Sequence, residues 1–278
     1  MKNRNNLPDW VVESVKHARD SYNPGEESIS ATNIIKPALI WKLERQFEVE
    51  EDVSDLIASF DGTCLHAGVE KALEENSRYI VEQRFYKDID VDGQTIKISG
   101  QVDLYDKETK TLWDAKRTTS YKVTKGTHDE YEQQLNIGRW LMNNVPEKIA
   151  IGSFIKDFNF RESMYNKNYP KAMFHPIPLR VWETEEVEEF IRKKVREKLD
   201  STLTPCTDEE RWKRSDSFAV MKEGNKRAVR VFYSMSEAAE FAHGNEKMYI
   251  EQRNGENVRC LHYCKVKDHC PFFEEFNK

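Results

Sequence analysis

Two carboxylates and a lysine lie close together in a predicted hairpin, and this combination can support metal-assisted hydrolysis of a phosphodiester. Asp103 belongs to the polar face of an alternating strand that ends near residue 105. After a polar turn, a short strand over residues 111–116 places Asp114 and Lys116 on one face. Carboxylates bind Mg²⁺ or Mn²⁺, and a lysine can position or deprotonate a water or stabilise developing charge. The alternative is an ordinary Asp–Lys ladder on the surface of a hairpin.

The helices predicted before and after this hairpin carry further candidate side chains. His66 follows an Asp-Gly break, on a helix that we expect to begin with Thr63 as its N-cap. Its imidazole can bind a metal ion, although a histidine on a helix is more often structural. Glu70 lies one turn later, and Gln134 lies on a helix predicted over residues 128–144. Helices on both sides would thus bring side chains towards the hairpin.

Periodicity along the rest of the chain predicts an α/β fold, a central mixed sheet flanked by helices. The turn dipeptide Asp92-Gly93 is typical of a tight hairpin. We divide the chain into an N-terminal polar segment at 1–27, a core at 28–203 and a cysteine-containing region at 204–278. The other predicted elements are strands at 79–90, 148–159 and 177–182, an amphipathic helix at 183–201, a hairpin at 218–233, a helix at 236–242 and a strand at 248–253.

Four of the five cysteines lie in the region at 204–278 and suggest a bound metal. They are Cys206, Cys260, Cys264 and Cys270. Four thiolates suit tetrahedral Zn²⁺ or an iron–sulfur cluster, and one remote ligand with a compact triplet favours a [4Fe–4S] cluster. Buried free thiols are the alternative. Cys64, near His66, is expected to be a buried thiol.

Composition indicates a soluble intracellular protein. Of 278 residues, 38% are hydrophobic and 33% charged, which allows a folded core and argues against disorder. No apolar run is long enough to span a membrane, and the N-terminus lacks the apolar core of a signal peptide. The net charge of −6 argues against a protein that coats nucleic acid, although basic residues group at 116–125 and 222–230.

These motifs resemble those of the PD-(D/E)XK nuclease superfamily, in its RecB-like exonuclease branch. The resemblance covers roughly residues 28–275 and is carried by Gly62-Thr-x-x-His66, Gly100-x-x-Asp103, Asp114-x-Lys116 and Gln134, in that order. The tail from Tyr263 to Pro271 resembles the C-terminal cysteine cluster of the CRISPR-associated and AddB-type members. The segment 30–37 resembles the opening segment of phage-encoded members.

The resemblance implies a restriction-endonuclease-like core and DNA cleavage that depends on Mg²⁺ or Mn²⁺. By position, the metal ligands would be His66, Asp103, Asp114 and the Ala115 carbonyl. Lys116 would be the catalytic lysine. Gln134 would be the glutamine of the fourth motif, which contacts the lysine or DNA. The fourth motif usually reads Gln-x-x-x-Tyr, and here Gly138 holds the tyrosine position. The first cluster cysteine usually precedes the nuclease motifs, whereas Cys206 follows them.

We therefore expect a DNA exonuclease that acts on single strands or duplex ends. Such an enzyme would act in phage or bacterial recombination, repair or replication. It would act in the cytoplasm, which is the host's if the protein is phage-encoded. We expect a recombination or replication protein as its partner and no association with a membrane. The alternative is a catalytically weak or inactive module that binds DNA or protein and retains the fold and the metal cluster.

Overall fold

The chain folds into two compact units in a computed structural model that describes residues 1–21 and 27–276. The first unit comprises Met1–Lys36 and Glu50–Asp200, and the second comprises Pro37–Val49 and Ser201–Lys278. The N-terminal residues thus belong to the same unit as the predicted core. The segment Pro37–Val49 belongs with the cysteine-containing region, which a division by chain order does not foresee.

The first unit is built around a six-stranded mixed sheet with flanking helices. Its strands are β1 (Ile29–Ser30), β2 (Tyr79–Val91), β3 (Gln94–Asp106), β4 (Thr111–Thr118), β5 (Lys148–Ile155) and β6 (Phe174–Leu179). Its helices are α1 (Asp9–Asp20), α2 (Ala31–Ile35), α4 (Val53–Leu73), α5 (Ser120–Lys125), α6 (Asp129–Leu141), α7 (Phe160–Tyr165) and α8 (Thr184–Leu199). Helix α3 (Ala38–Gln46) belongs to the second unit.

Strand β3 organises the sheet because it pairs with three other strands. It is antiparallel to β2 along its length, parallel to β1 at Ile98, and antiparallel to β4 near its C-terminal end. Strand β5 is parallel to β4, and β6 returns antiparallel to β5. The β2–β3 hairpin turns at Asp92 and Gly93, whose φ angles of 54° and 82° suit the two-residue turn predicted from their types.

Helices α6 and α8 are amphipathic and bury their apolar stripes. Trp140 of α6 and Ile191 of α8 pack with Ile98 of β3 in one core cluster, and all three are almost fully buried. A second cluster joins Leu135 of α6 to Leu112 of β4. Burial of these side chains holds α6 against β3 and β4, the two strands that carry the candidate acids.

Helix α4 corrects the prediction of a helix break before Thr63. It runs without interruption through Asp61 and Gly62, and its N-cap is Asp52, whose carboxylate accepts from the Ser54 N–H. A glycine inside a helix costs only about 1 kcal/mol relative to alanine, which contacts with the rest of the unit can exceed. His66 therefore lies well inside a long helix rather than in its first turn.

The second unit contains a three-stranded sheet and the cysteines. The strands are β7 (Ser217–Lys222), β8 (Arg230–Phe232) and β9 (Met248–Arg253), with β7 in the middle. Helix α9 (Met235–Ala242), a π-helical turn (Arg259–Tyr263), a 3-10 turn (Lys267–His269) and helix α10 (Phe273–Phe276) complete it with α3. In neither unit is a described helix long and apolar enough to cross a membrane.

Candidate active site

The candidate site lies where strands β3 and β4 separate. Their pairing runs from Asp106 with Thr111 to Leu104 with Trp113, and the next two residues are Asp103 and Asp114. At this point the Asp103 carboxylate accepts a hydrogen bond from the Ala115 N–H at 2.8 Å. A side chain thus takes the place of the next ladder bond. The two acids predicted from strand parity are therefore adjacent across the hairpin.

Lys116 and Asp114 form a close ion pair. The Lys116 ammonium donates to Asp114 Oδ1 at 2.7 Å. Burial alone would lower the pKa of Lys116, but the charges of Asp114 and Asp103 outweigh it and raise the pKa above its usual value. The other oxygen, Asp114 Oδ2, is buried and has no hydrogen-bond partner. A buried carboxylate oxygen without a donor is costly, so this atom fits a position that faces a cation.

His66 reaches the same site from α4. Its Nδ1 lies 2.9 Å from Glu82 Oε1 and 3.6 Å from Asp103 Oδ1. Among the described residues, these three form the one group of at least three histidine, cysteine or acidic side chains whose ligand atoms all lie within 4.8 Å of one another. Neighbouring ligands of an octahedral Mg²⁺ lie roughly 3 Å apart, because each stands about 2.1 Å from the ion. The spacing of the three side chains is close to that geometry.

The site also raises the basicity of its members. The pKa of Asp103 is raised to about 7, chiefly because its carboxyl is buried and next because Asp114 is close by. The hydrogen bond with Glu82 raises the pKa of His66 against the opposing effect of burial. Buried ionisable groups that lie close together and have shifted pKa values are typical of a functional site.

Glu82 is the site residue that the sequence reasoning missed. It lies on β2 between Val81, which pairs with Leu104, and Gln83, which pairs with Val102, so it stands opposite Asp103. The two-residue turn at 92–93 fixes this register, and the prediction could have been made from it. Glu82 has a φ of 45° in the middle of a strand, where an L-residue is strained. Its carboxylate lies with His66 and Asp103 in the site.

Gln134 lies beside the ion pair, and Gly138 does not. The Gln134 side chain donates to Asp114 Oδ1 at 3.4 Å, a long contact. A Cβ on Gly138 would lie 3.4 Å from Leu112 Cδ2 and 3.6 Å from Val102 Cγ1, so this position faces the core. The aromatic ring near the lysine is instead that of Tyr131, whose centroid lies 5.6 Å from Lys116 Nζ. Tyr131 precedes Gln134 by one helical turn, which is a signal available in the sequence.

The structure thus gathers five predicted residues of the site: His66, Asp103, Asp114, Lys116 and Gln134. Ala115 touches it through its N–H, and the predicted role of its carbonyl as a ligand stays a prediction. Glu70 is exposed on α4 and is absent from the group that contains His66. Cys64 is also exposed, so the expectation of a buried thiol was wrong. It lies on a part of α4 whose side chains are not packed into the core.

The four predicted cysteine ligands line one cavity inside the second unit. Cys206, Cys260, Cys264 and Cys270 line this pocket together with apolar side chains of α3, including Leu39 and Leu43. All four are partly buried, and none forms a disulfide. Burial raises the pKa of Cys206 to about 12, with smaller contributions from Glu210 and the other three cysteines. The thiols therefore meet in one place that the sequence spacing alone did not define.

Comparisons with known proteins leave the chain unassigned. No protein-family model and no curated protein matches the sequence. The crystal structure of SSO0001 is 18% identical, with a TM-score of 0.48 over 67% of this chain and 83% of that one. A phage-related exonuclease from Haemophilus somnus 129PT is 14% identical, with a TM-score of 0.31 over 69% of this chain and 81% of that one. Both TM-scores are below 0.5, so neither likeness by itself assigns an activity.

Proposed function

We propose that this protein is a metal-dependent deoxyribonuclease of the PD-(D/E)XK type. The observation that carries the proposal is the convergence of His66, Glu82 and Asp103 beside the Asp114–Lys116 pair. The residues come from α4, β2, β3 and β4, four separate elements. A hairpin alone can form an Asp–Lys ladder on its surface. This site forms only when the fold brings the four elements together, which supports a functional role over a surface ladder.

The donor set fits Mg²⁺ or Mn²⁺. One imidazole and several carboxylates are suitable ligands for these ions, and the unpartnered Asp114 Oδ2 supplies an oxygen that no protein donor occupies. We assign His66, Glu82, Asp103 and Asp114 as ligands and retain the Ala115 carbonyl as a further one. When bound, such an ion would lower the pKa of a water and offset negative charge on the phosphoryl group.

The other side chains position the ligands and supply positive charge. Gln101 donates to Glu82 Oε2 at 2.6 Å, and the Ala115 N–H fixes one oxygen of Asp103. These hydrogen bonds hold the carboxylates in place before any substrate binds. Lys116 presents an ammonium group at the site, where it can contact a phosphate oxygen and stabilise the charge that develops on it.

The test is degradation of end-labelled DNA, single-stranded and duplex, with Mg²⁺ or Mn²⁺. Lys116→Met should reduce the rate by at least a hundredfold, as does loss of other preorganised charge-stabilising groups. Lys110→Met is a matched control, because Lys110 lies at the turn of the same hairpin and pairs with exposed Glu147. If the wild type cleaves neither substrate with either ion, the proposal fails and a noncatalytic module that binds DNA or protein is favoured. Product lengths over time separate exonuclease from endonuclease action.

We further propose that the four cysteines of the second unit bind a [4Fe–4S] cluster. The four cysteines line one pocket, and one remote ligand with a compact triplet is the arrangement that favours this cluster over zinc. Anaerobic purification should give absorbance at about 400 nm and bound iron, both lost in Cys264→Ser. Stoichiometric zinc without iron would contradict the cluster.

We also propose a biological setting for such a nuclease. It would act in the cytoplasm on phage or bacterial DNA during recombination, repair or replication, with a partner protein from one of these processes.

A further inference from the structure

A second surface lies at the C-terminal ends of β4 and β5, close to Lys116 along the chain. Strands β4 and β5 are parallel, and their last residues, Thr118 and Ile155, are paired. The chain therefore leaves both strands at the same edge. Thr118 is two residues after Lys116, which is about 7 Å along an extended strand. We call the residues that follow, 120–125 with α5 and 156–173 with α7, the edge platform.

The two halves of the edge platform are joined to each other. The Ser120 N–H donates to Asp157 Oδ1 at 2.7 Å, the Ser120 hydroxyl donates to Asp157 Oδ2 at 3.1 Å, and the Lys156 N–H donates to the Thr118 carbonyl at 2.9 Å. The longer half also has internal supports. Lys171 donates to two carbonyls around α7. The connection between β5 and β6 is therefore held by hydrogen bonds and contains a helix.

The edge platform exposes aromatic rings that a protein would normally bury. Tyr121 is 71% exposed, Phe160 71% and Tyr165 79%. The neighbouring Met164 and Met173 are also exposed. Grouped exposed apolar side chains mark a binding surface more often than scattered ones do.

The charge around these rings is opposite in sign to that of the whole chain. Residues 116–125 contain four basic side chains and no acidic one, and residues 156–173 contain four basic and two acidic, whereas the chain carries −6. Basic groups between exposed aromatic rings suit a strand whose phosphates are charged and whose bases are free to stack. A duplex would offer its phosphates but keep its bases stacked inside.

The ammonium groups of Lys116 and Lys122 lie around one aromatic ring beside the candidate site. Lys122 Nζ lies 5.4 Å and Lys116 Nζ lies 5.6 Å from the centroid of the Tyr131 ring. The narrow crevice that these side chains line also borders Thr118, the last residue of β4. Two ammonium groups suited to phosphate oxygens thus lie between α5 and the candidate site.

We propose that an unpaired nucleic-acid strand binds across the edge platform, with bases stacked on Tyr121, Phe160 and Tyr165 and phosphates at Lys122, Arg161 and Lys167. This inference rests on the proposed function, since it names the substrate class of the same site. The strand would continue from the platform past Lys122 to Lys116. The platform would thereby favour unpaired DNA over duplex.

The test is binding without added divalent metal, measured by fluorescence anisotropy with a labelled oligothymidylate of about 15 nucleotides and a blunt duplex of equal length. Tyr165→Ala and Phe160→Ala should each weaken binding of the single strand about fivefold or more, because stacking on one aromatic ring contributes at least that much. Neither change should alter duplex binding. Tyr165→Phe retains the ring and should bind as the wild type does.

Arg161→Ala should reduce the slope of log K against log salt by about 0.7, as expected for one phosphate contact to a single strand. Tyr233→Ala is a matched control, because Tyr233 is a similarly exposed tyrosine, at 76%, in the second unit. Circular dichroism checks that each variant is folded.

Three outcomes overturn the inference. They are equal affinity of the wild type for single strand and duplex, wild-type binding by the folded alanine variants, and a change in oligomeric state on sedimentation without any change in DNA binding. The last outcome would identify the platform as a contact with a second copy or another protein. The binding assay measures no cleavage, so a negative binding result leaves the nuclease proposal intact. Conversely, a protein that binds single strands without cutting them would refute only the nuclease proposal.

Discussion

Replacing Glu82 by glutamine should weaken metal binding much more than it weakens the fold. The variant keeps the size of the side chain and an oxygen that can accept from His66, but it removes one of the two carboxylates in the group with His66 and Asp103. It also places an amide against Gln101, whose Nε2 now donates to Glu82 Oε2 at 2.6 Å. The lost charge should weaken metal binding, whereas the lost hydrogen bond with Gln101 should mainly reduce the stability of the local structure.

The expected magnitude follows from these two losses. Removing a group that holds or orients a metal ligand typically costs 10- to 100-fold in metal affinity or activity, which is about 1.4–2.8 kcal/mol. Losing the Gln101 hydrogen bond costs a further 1 kcal/mol or so of stability. We therefore expect half-saturation by Mn²⁺ to rise at least tenfold in the DNA cleavage assay, with only a small fall in Tm.

Glu70→Gln is the matched control for this experiment. It makes the same chemical change one turn after His66, on an exposed side chain outside the metal-binding group. It should leave the Mn²⁺ dependence unchanged. If Glu82→Gln cleaves DNA with the wild-type Mn²⁺ dependence, Glu82 is not a ligand and the assignment of the site is wrong at β2.

A glycine at the same position separates function from stability. The φ of 45° costs a non-glycine residue about 1–2 kcal/mol, and glycine in a strand costs roughly 0.5–1 kcal/mol through entropy. Glu82→Gly should therefore unfold in urea within about 1 kcal/mol of the wild type, despite its lost hydrogen bonds, while cleavage is lost. A large drop in stability would show that Glu82 is retained for folding rather than for the site.

Three further predictions concern the frame of the site. Asp106 accepts hydrogen bonds from the Arg78 guanidinium and from Thr109, and these bonds hold the pKa of Asp106 well below its usual value. Asp106→Asn should thus lower the free energy of unfolding by about 1–3 kcal/mol at pH 7. In urea titrations, the difference from the wild type should shrink as the pH falls below about 4. Lys198 is buried and donates to two carbonyls at the end of α2. Lys198→Met removes both hydrogen bonds and should cost about 1–3 kcal/mol in a urea titration. A neutral result would mean that water replaces the ammonium. Gly138→Tyr restores the usual fourth motif but should overpack the core against Leu112. It should reduce stability by about 1–3 kcal/mol in thermal melts and should not raise the cleavage rate. A faster nuclease would contradict the buried position of residue 138.

Local rules explain why the hairpin could be predicted in detail. The period of two along residues 94–106 places Asp103 on the polar face, and Asp92-Gly93 allows only a tight turn. Such patterns depend on neighbours in sequence, so the strands and the long amphipathic helices were confirmed within a few residues. The break predicted before Thr63 was wrong because one glycine costs only about 1 kcal/mol, which a helix of 21 residues can accommodate.

Residue types and their alternation are enough to predict a metal site and a thiol cluster: His66, Asp103, Asp114, Lys116, Gln134 and four late cysteines. The tight turn at 92–93 also sets Glu82 opposite Asp103. The fold adds that His66 of α4 meets Glu82, that Gly138 faces the core, and that α5 and the β5–β6 connection expose aromatic rings beside each other. These relations join residues far apart in the chain. Helix rotation and the separation of β3 from β4 arise from burial summed over the whole unit, and no local pattern contains that sum.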